Sequence, residues 1–172
     1  NIWMALDPHM RTPHACLWLA INPEGEHRIC GELWPPAGTH WQAVQYAEVI
    51  RWLESDSREK LPSWWWAQGK KLTVKRRIMD THGRAANSDE GYDFFETYQK
   101  HDLYFDPSRK DIPAAVDRVR ELLEAVPLSD GETTRKGPLL KVFESCRETV
   151  WEFENVRYAE GEAEKRTEEI AA

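Results

Sequence analysis

Three short apolar segments with tight connections open the chain, and helix-like and strand-like segments alternate after them. Residues 2–7, 14–21 and 27–34 each have the length and composition of a β-strand. The turn "NPEG" joins the second segment to the third, because proline presets one backbone angle and glycine relaxes the next. Connections this short favour antiparallel pairing, so this part of the chain predicts a three-stranded meander.

The rest of the chain predicts strands separated by amphipathic helices. The first helix is expected in "THWQAVQYAEVIRWLESD", with Thr39 as its cap. Further strands are expected at 72–80, 103–108 and 139–144. Further helices are expected at 92–102, 110–126 and 145–156. Such alternation pairs strands in parallel through right-handed crossovers. The order of elements is that of an RNase H-like α/β fold, a mixed central sheet of three antiparallel strands then parallel strands, flanked by helices.

Length and composition indicate how many domains the chain forms and which classes of protein are excluded. The 172 residues, 41% of them apolar, suit one domain over 1–172. No apolar run approaches the roughly eighteen residues of a membrane helix, so no membrane association is expected. The cysteines Cys16, Cys30 and Cys146 form no CxxC pair, which favours buried, reduced thiols over a zinc site. Position 1 is not Met, so we expect a fragment of a longer chain.

The charge distribution excludes some classes of protein. A net charge of −7 argues against a protein that coats nucleic acids, but it is compatible with a nucleic-acid enzyme. The segment "GKKLTVKRR" concentrates positive charge just before the end of the fourth strand. Lys75, Arg76 and Arg77 alternate across that strand and cannot all share one face. They either contact phosphates or keep a sheet edge soluble.

Two aspartates end strands that this topology makes neighbours. Asp7 ends the first strand and Asp80 ends the fourth, 73 residues later. Carboxylates are the ligands that Mg²⁺ and Mn²⁺ prefer, so both acids are predicted as metal-binding and catalytic residues of a two-metal site. The alternative is that each is an ordinary acid at the end of a strand. Glu32 in the third strand either adds an acid to the site or faces solvent.

Histidines near these aspartates are further candidates. His9 and His82 each follow one of the two aspartates by two residues, and they either bind phosphate or are merely exposed. His14 also lies near the first aspartate. His82 and Arg84 join the basic residues of the fourth strand as candidate DNA contacts. No HExxH, GxSxG or GxxxxGK[ST] occurs, which argues against a zinc protease, a serine hydrolase and an NTP motor.

Three adjacent tryptophans, Trp64 to Trp66, stand in "LPSWWWAQGKK". Their rings cannot all point the same way. We expect two of them to pack on the core and one to cover the surface. The alternative is a projection that stacks on DNA or docks a partner.

Three stretches of the chain resemble a known family. They are "MALDPHMRTPHACLWLAINPEGEHRICGELW", "RRIMDTHGRAANSDEGYDFFETYQKHDLYFDPSRKDIPAAVDRVRELL" and "LLKVFESCRETVWEFENVRY". Together they resemble the C-terminal nuclease domain of the terminase large subunit of tailed bacteriophages. The resemblance places one family acid at Asp7 and one at Asp80. The chain also departs from the family's pattern, because it contains no segment like "DHxxDALRY" to supply the third metal acid.

The resemblance implies a function, cofactors and partners. It implies an endonuclease that uses Mg²⁺ or Mn²⁺ in two-metal phosphodiester hydrolysis to cut concatemeric double-stranded DNA during viral packaging in the host cytoplasm. It also implies an upstream ATPase domain, with the small terminase subunit and the portal as partners. The third metal acid is expected beyond the chain end, or else at Glu168 or Glu169. Two alternatives stay open: another RNase H-like nuclease, such as a resolvase or transposase core, and a non-catalytic domain that guides DNA or docks a partner.

Overall fold

A computed structural model describes residues 1–9, 12–35, 38–55, 61–68, 71–80, 93–109, 111–124 and 137–155. The strands within these residues are β1 (Ile2–Asp7), β2 (Ala15–Ile21), β3 (His27–Leu33), β4 (Val74–Met79), β5 (Asp106–Pro107) and β6 (Leu140–Val142). The helices are α1 (Ala43–Glu54), α2 (Phe94–Gln99), α3 (Ile112–Leu123) and α4 (Arg147–Asn155).

The six strands form one mixed sheet in the order β5-β4-β1-β2-β3-β6. Strands β1, β2 and β3 pair antiparallel as a meander. Strand β4 runs parallel to β1, β5 parallel to β4, and β6 parallel to β3. The predicted mixed sheet is therefore confirmed. Strands β5 and β6 are both shorter than predicted. In β5, for example, Leu103 is buried in the core but precedes the hydrogen-bonded residues.

The main core lies between one face of the sheet and the helices α1 and α2. Strand β1 alternates, with Met4 and Leu6 buried and Ala5 and Asp7 exposed. The buried residues of the strands meet a helical face that includes Tyr46, Ile50, Leu53 and Tyr98. The exposed residues of β1 therefore belong to the opposite face of the sheet, which is the face of interest for function.

A smaller core lies on that opposite face. Ile29 of β3 and Leu140 of β6 pack there with Leu122 of α3 and with Cys146, which precedes α4. Only part of the predicted apolar side of α3 is covered, because Ile112 is 61% exposed. Helix α3 therefore rests on the β3–β6 side of the sheet through its carboxyl-terminal half.

The start of α1 corrects one prediction. The N-cap is Gln42, not Thr39, and the amide of Gln42 donates to Oε1 of Gln45 at 2.8 Å. Trp41 lies immediately before this cap, and its ring packs edge-on against Tyr46 of the helix at 5.3 Å. Because tertiary packing can outweigh a local capping preference, a helix need not start at the first residue that could cap it.

The tryptophan segment confirms the expected division of its rings. Trp65 is 1% exposed and Trp66 is half-buried against the core, whereas Trp64 is 48% exposed. The ring of Trp65 meets Trp18 of β2 edge-to-face at 4.9 Å. The segment therefore closes the main core over the centre of the sheet.

The three cysteines are buried and free, as expected from their spacing. Burial raises the pKa of the Cys146 thiol to about 11, so that thiol stays protonated at neutral pH. Among the helices within the described residues, none has both the length and the apolar character needed to cross a membrane.

A glycine in β3 makes room for the tryptophan segment, which gives a first prediction. A Cβ atom on Gly31 would lie 2.8 Å from Cζ3 of Trp65 and 2.8 Å from Nε1 of Trp66. We expect Gly31→Ala to lower the free energy of unfolding by about 1–3 kcal/mol in urea, because the two rings must shift in a packed core. Gly137→Ala is the matched control, since nothing lies within 4 Å of its Cβ position. Equal stability of both variants would contradict the packing described.

Candidate functional site

The parallel pairing of β1 and β4 brings the two predicted aspartates together. Leu6 lies beside Met79, and the amide of Asp80 donates to the carbonyl oxygen of Leu6 at 3.2 Å. One step further along both strands places Asp7 beside Asp80. Neighbouring strands lie about 4.8 Å apart, and residues in register point to the same face. Asp7 is exposed and Asp80 half-buried, so both are accessible from solvent.

The sheet determines which way the pair faces. Leu6 and Met79 are both buried in the main core. The next residue of each strand, Asp7 and Asp80, therefore belongs to the opposite face, at the carboxyl ends of β1 and β4. Two carboxylates at this spacing repel each other, and a divalent cation between them offsets that repulsion.

The pair is compatible with Mg²⁺ or Mn²⁺, which prefer oxygen ligands. Within the described residues, no group of three or more His, Cys, Asp or Glu side chains is arranged to hold a metal ion. Magnesium sites in enzymes are often built from one or two carboxylates, with water and substrate phosphate completing the shell. Asp7 and Asp80 fit that pattern as a partial ligand set.

A cleft of about 810 Å³ opens beside Asp7 on the same side of the sheet. The carboxyl ends of β1 and β3 line one wall, and α3 and α4 line the other. Its other polar and aromatic lining residues include His9, Trp34, Arg120, Glu152 and Phe153. The sequence did not single out the last four. Only the docking of α3 and α4 on the sheet brings them to Asp7, and no local motif marks them.

Glu32 has a structural partner that its sequence context does not indicate. Its carboxylate accepts hydrogen bonds from the amide of Glu148 at 3.0 Å, the amide of Thr149 at 2.9 Å and Oγ1 of Thr149 at 2.8 Å. It therefore caps the start of α4. Strand β3 is also two strands away from β1, so the backbone of Glu32 lies about 10 Å or more from that of Asp7, although both residues line the same cleft.

This cap gives a second prediction. We expect Glu32→Ala to lower the free energy of unfolding by about 1–2 kcal/mol, because three hydrogen bonds at a helix start are lost. Urea unfolding checks the value, with Glu24→Ala as control because Glu24 is exposed on the β2–β3 turn. An unchanged stability for Glu32→Ala would show that the cap does not hold α4.

The basic residues of β4 divide between the two faces of the sheet, as their alternation requires. Nε of Arg76 donates to Oδ2 of Asp106 at 2.6 Å, and its guanidinium lies 6.0 Å from the centre of the Trp3 ring. Arg76 shares the face of the aspartate pair. Arg77 points the other way and forms an ion pair with the buried Glu54, while Lys75 is exposed. His82 and Arg84 lie outside the described residues.

His14 is buried beneath the loop that follows Asp7. It is 2% exposed, its ring stacks on Tyr46 with centres 4.5 Å apart, and its Nδ1 is 2.8 Å from the hydroxyl of Tyr98. Burial lowers the pKa of His14 to about 4, although a hydrogen bond to the backbone of His9 acts in the opposite direction. His14 is therefore a neutral core residue at physiological pH.

The depressed pKa of His14 predicts a loss of stability in acid. In the unfolded chain a histidine titrates near 6.5, so between that pH and about 4 the unfolded state binds more protons than the folded state. The contribution of His14 to the free energy of unfolding is complete above pH 6.5. It falls by roughly 3 kcal/mol as the pH drops towards 4. Urea unfolding from pH 7.5 to 4.5 checks it. The slope should be smaller in His14→Gln, and an equal slope would contradict the assignment.

The fold of this chain is similar to that of a solved nuclease domain. No family model and no curated protein matches the sequence. A solved structure, the nuclease domain of the P22 large terminase, superposes with a TM-score of 0.55 at 14% sequence identity. The match covers 89% of this chain and 66% of that one, so this chain spans slightly less than two thirds of its length. The described sheet thus confirms the predicted RNase H-like fold, in the form found in a terminase nuclease domain.

Proposed function

We propose that this chain is a metal-dependent endonuclease domain of a viral DNA-packaging terminase, which cuts concatemeric double-stranded DNA. One observation carries the proposal. Asp7 and Asp80 directly follow Leu6 and Met79, which pair at the carboxyl ends of parallel strands, on an accessible face of a fold similar to that of a terminase nuclease domain. Paired carboxylates at such an edge are suited to metal-assisted phosphodiester hydrolysis.

The two aspartates are proposed to hold Mg²⁺ or Mn²⁺. A pair of such ions, when bound, activates water for attack and stabilises the leaving oxygen. The aspartates bind and orient the ions, and their negative charge repels the phosphates of DNA whenever the ions are absent. Cleavage should therefore depend strictly on the divalent cation. We propose that a third acidic ligand comes from outside the described residues.

Contacts with DNA are proposed for the exposed basic residues of β4. Arg76 is exposed and shares the face of the aspartate pair, so it is the stronger candidate; Lys75 is exposed too, but alternation puts it on the face of Arg77. The net charge of −7 indicates that the domain alone binds duplex DNA weakly, since few phosphates can be neutralised. We propose that the ATPase domain, the small terminase subunit and the portal hold the DNA in the host cytoplasm, while this domain cuts it.

Substrate preference tests the proposal. The protein is incubated in Mn²⁺ with a supercoiled plasmid, a linear duplex and a four-way DNA junction, each with an EDTA control. The proposal expects cutting of the plasmid and of the linear duplex, with no dominant sequence preference and no cutting in EDTA. Selective cutting of the junction would instead assign a resolvase activity and overturn the packaging role.

A further inference from the structure

A solvent-accessible strip of the sheet runs from the aspartate pair back along β1 and β4. Alternation places Trp3 and Ala5 of β1 on the face of Asp7, and Arg76 and Ile78 of β4 on the same face. Trp3 is in register with Arg76, and Ala5 with Ile78. Ala5 is exposed and Ile78 half-buried, so solvent reaches the sheet between the aspartates and the Trp3–Arg76 level.

The guanidinium of Arg76 is held from both neighbouring strands at the far end of this strip. Its Nε donates to Oδ2 of Asp106 in β5 at 2.6 Å. On the β1 side it lies 6.0 Å from the centre of the Trp3 ring, at the outer limit of a cation–π contact. The ion pair uses Nε, and a guanidinium carries further N–H donors on its other two nitrogens. Arg76 can therefore bind a second anion without leaving Asp106.

The spacing along β4 suits two phosphates of one DNA strand. Arg76 and Asp80 are four residues apart, which places their backbones about 13 Å from each other. A DNA strand carries one phosphate per nucleotide, about every 3.4 Å along the axis of the duplex. When one phosphate lies at the aspartates, another therefore lies near Arg76, about four nucleotides away if the axis follows β4 and fewer if it crosses at an angle.

A cation fixed at this distance answers an electrostatic need of the site. The aspartates repel every phosphate near them, and a positive charge further along the strip offsets that repulsion. Arginine suits the task, because its planar guanidinium matches the oxygens of a phosphate. A side chain that is already aligned also loses less conformational freedom when the phosphate binds.

We propose that the DNA strand being cut follows this strip, that Arg76 binds a second phosphate of that strand, and that Asp106 is the positioning residue of Arg76. The inference rests on the proposed nuclease function. It adds the direction in which the cut strand leaves the aspartate pair and a fixed offset between the cleaved phosphate and the one that Arg76 binds.

A cleavage ladder measures that offset. An end-labelled duplex with one neutral methylphosphonate linkage is cut in Mn²⁺. We expect two gaps in the ladder of the wild type, one at the neutral linkage and one about two to four nucleotides to one side, where that linkage would lie at Arg76. Arg76→Ala should lose only the second gap. Arg118→Ala is the matched control and should keep both, since Arg118 is also exposed and ion-paired. A single gap in the wild type, or both gaps in Arg76→Ala, would overturn the proposal.

The salt dependence of binding gives a readout without cleavage. The affinity for a labelled duplex is measured by fluorescence anisotropy in Ca²⁺ over a series of low salt concentrations. We expect the slope of log K against log salt to become shallower by about 0.9 in Arg76→Ala, the value for one phosphate contact, and to stay unchanged in Arg118→Ala. Equal slopes for the wild type and Arg76→Ala would overturn the proposal. The expected change in a protein that cuts no DNA would support the phosphate contact and count against the nuclease function itself.

The positioning role of Asp106 has its own variant. Asp106→Ala removes the acceptor at Nε of Arg76. Loss of a negative charge by itself strengthens DNA binding, so the depth of the second gap decides rather than the overall rate. We expect the second gap to become several-fold shallower, because the guanidinium is no longer held over one phosphate. Glu121→Ala removes the partner of Arg118 and should leave the gap as deep as in the wild type. A gap of unchanged depth in Asp106→Ala would overturn the positioning role.

Discussion

Asp80→Asn is expected to reduce metal-dependent DNA cleavage by about a hundred- to a thousandfold, the range seen when one preorganised electrostatic group is removed from a site. Asp7→Asn should have a similar effect. The two residues directly follow Leu6 and Met79 of the paired strands, and each is proposed to supply oxygen ligands that the other cannot replace. Nicking of a supercoiled plasmid in Mn²⁺ measures the loss.

The stability of the same variants separates a functional role from a structural one. Asparagine matches the shape of aspartate. We therefore expect the free energy of unfolding to change by less than about 1 kcal/mol. Asp117→Asn on the exposed face of α3 is the control and should leave cleavage unchanged. A large loss of stability with normal cleavage would show that the aspartates are only strand-end residues.

Glu54→Ala is expected to be the most destabilising single substitution considered for this chain, at about 3–5 kcal/mol. Glu54 is 7% exposed and forms an ion pair with Arg77. Its Oε1 also accepts a hydrogen bond from Nε1 of Trp18 at 3.0 Å. The substitution leaves the half-buried guanidinium of Arg77 and the buried indole N–H of Trp18 without this acceptor. Urea unfolding at pH 7 measures the loss.

A double variant shows whether the loss of stability in Glu54→Ala comes from leaving Arg77 without its ion-pair partner. Glu54→Leu with Arg77→Met removes both ionic groups and keeps apolar volume, so it should be clearly more stable than Glu54→Ala. Glu121→Ala breaks the exposed pair with Arg118 and should cost less than about 1 kcal/mol. If Glu54→Ala costs no more than Glu121→Ala, the buried pair does not stabilise the fold in the way described.

The topology could be predicted from the sequence because the patterns that indicate it are local. Turn residues between short apolar runs predicted the meander of β1, β2 and β3, and strand–helix alternation predicted β4 beside β1. The neighbouring positions of Asp7 and Asp80 follow from that pairing alone. The pairing of strands far apart in sequence was thus predictable, since it required only the order of strands and the point where each ends.

Other features depend on contacts that no local pattern encodes. Glu32 caps a helix that begins 115 residues later, at Arg147, and only the docking of α4 on the sheet reveals it. The start of α1 at Ala43 accompanies a tertiary contact, the packing of Trp41 on Tyr46. The burial of His14 likewise depends on α1 and α2, which converge from distant parts of the chain.

The most direct test of the account is supercoiled-plasmid cleavage in Mn²⁺ by the wild type and by Asp80→Asn, run in parallel with and without EDTA. We expect nicked and linear DNA from the wild type in Mn²⁺ alone. We expect neither product from the wild type in EDTA, and at most traces from Asp80→Asn. Equal cleavage by the two proteins, or cleavage that persists in EDTA, would contradict a metal-dependent site built on the aspartate pair.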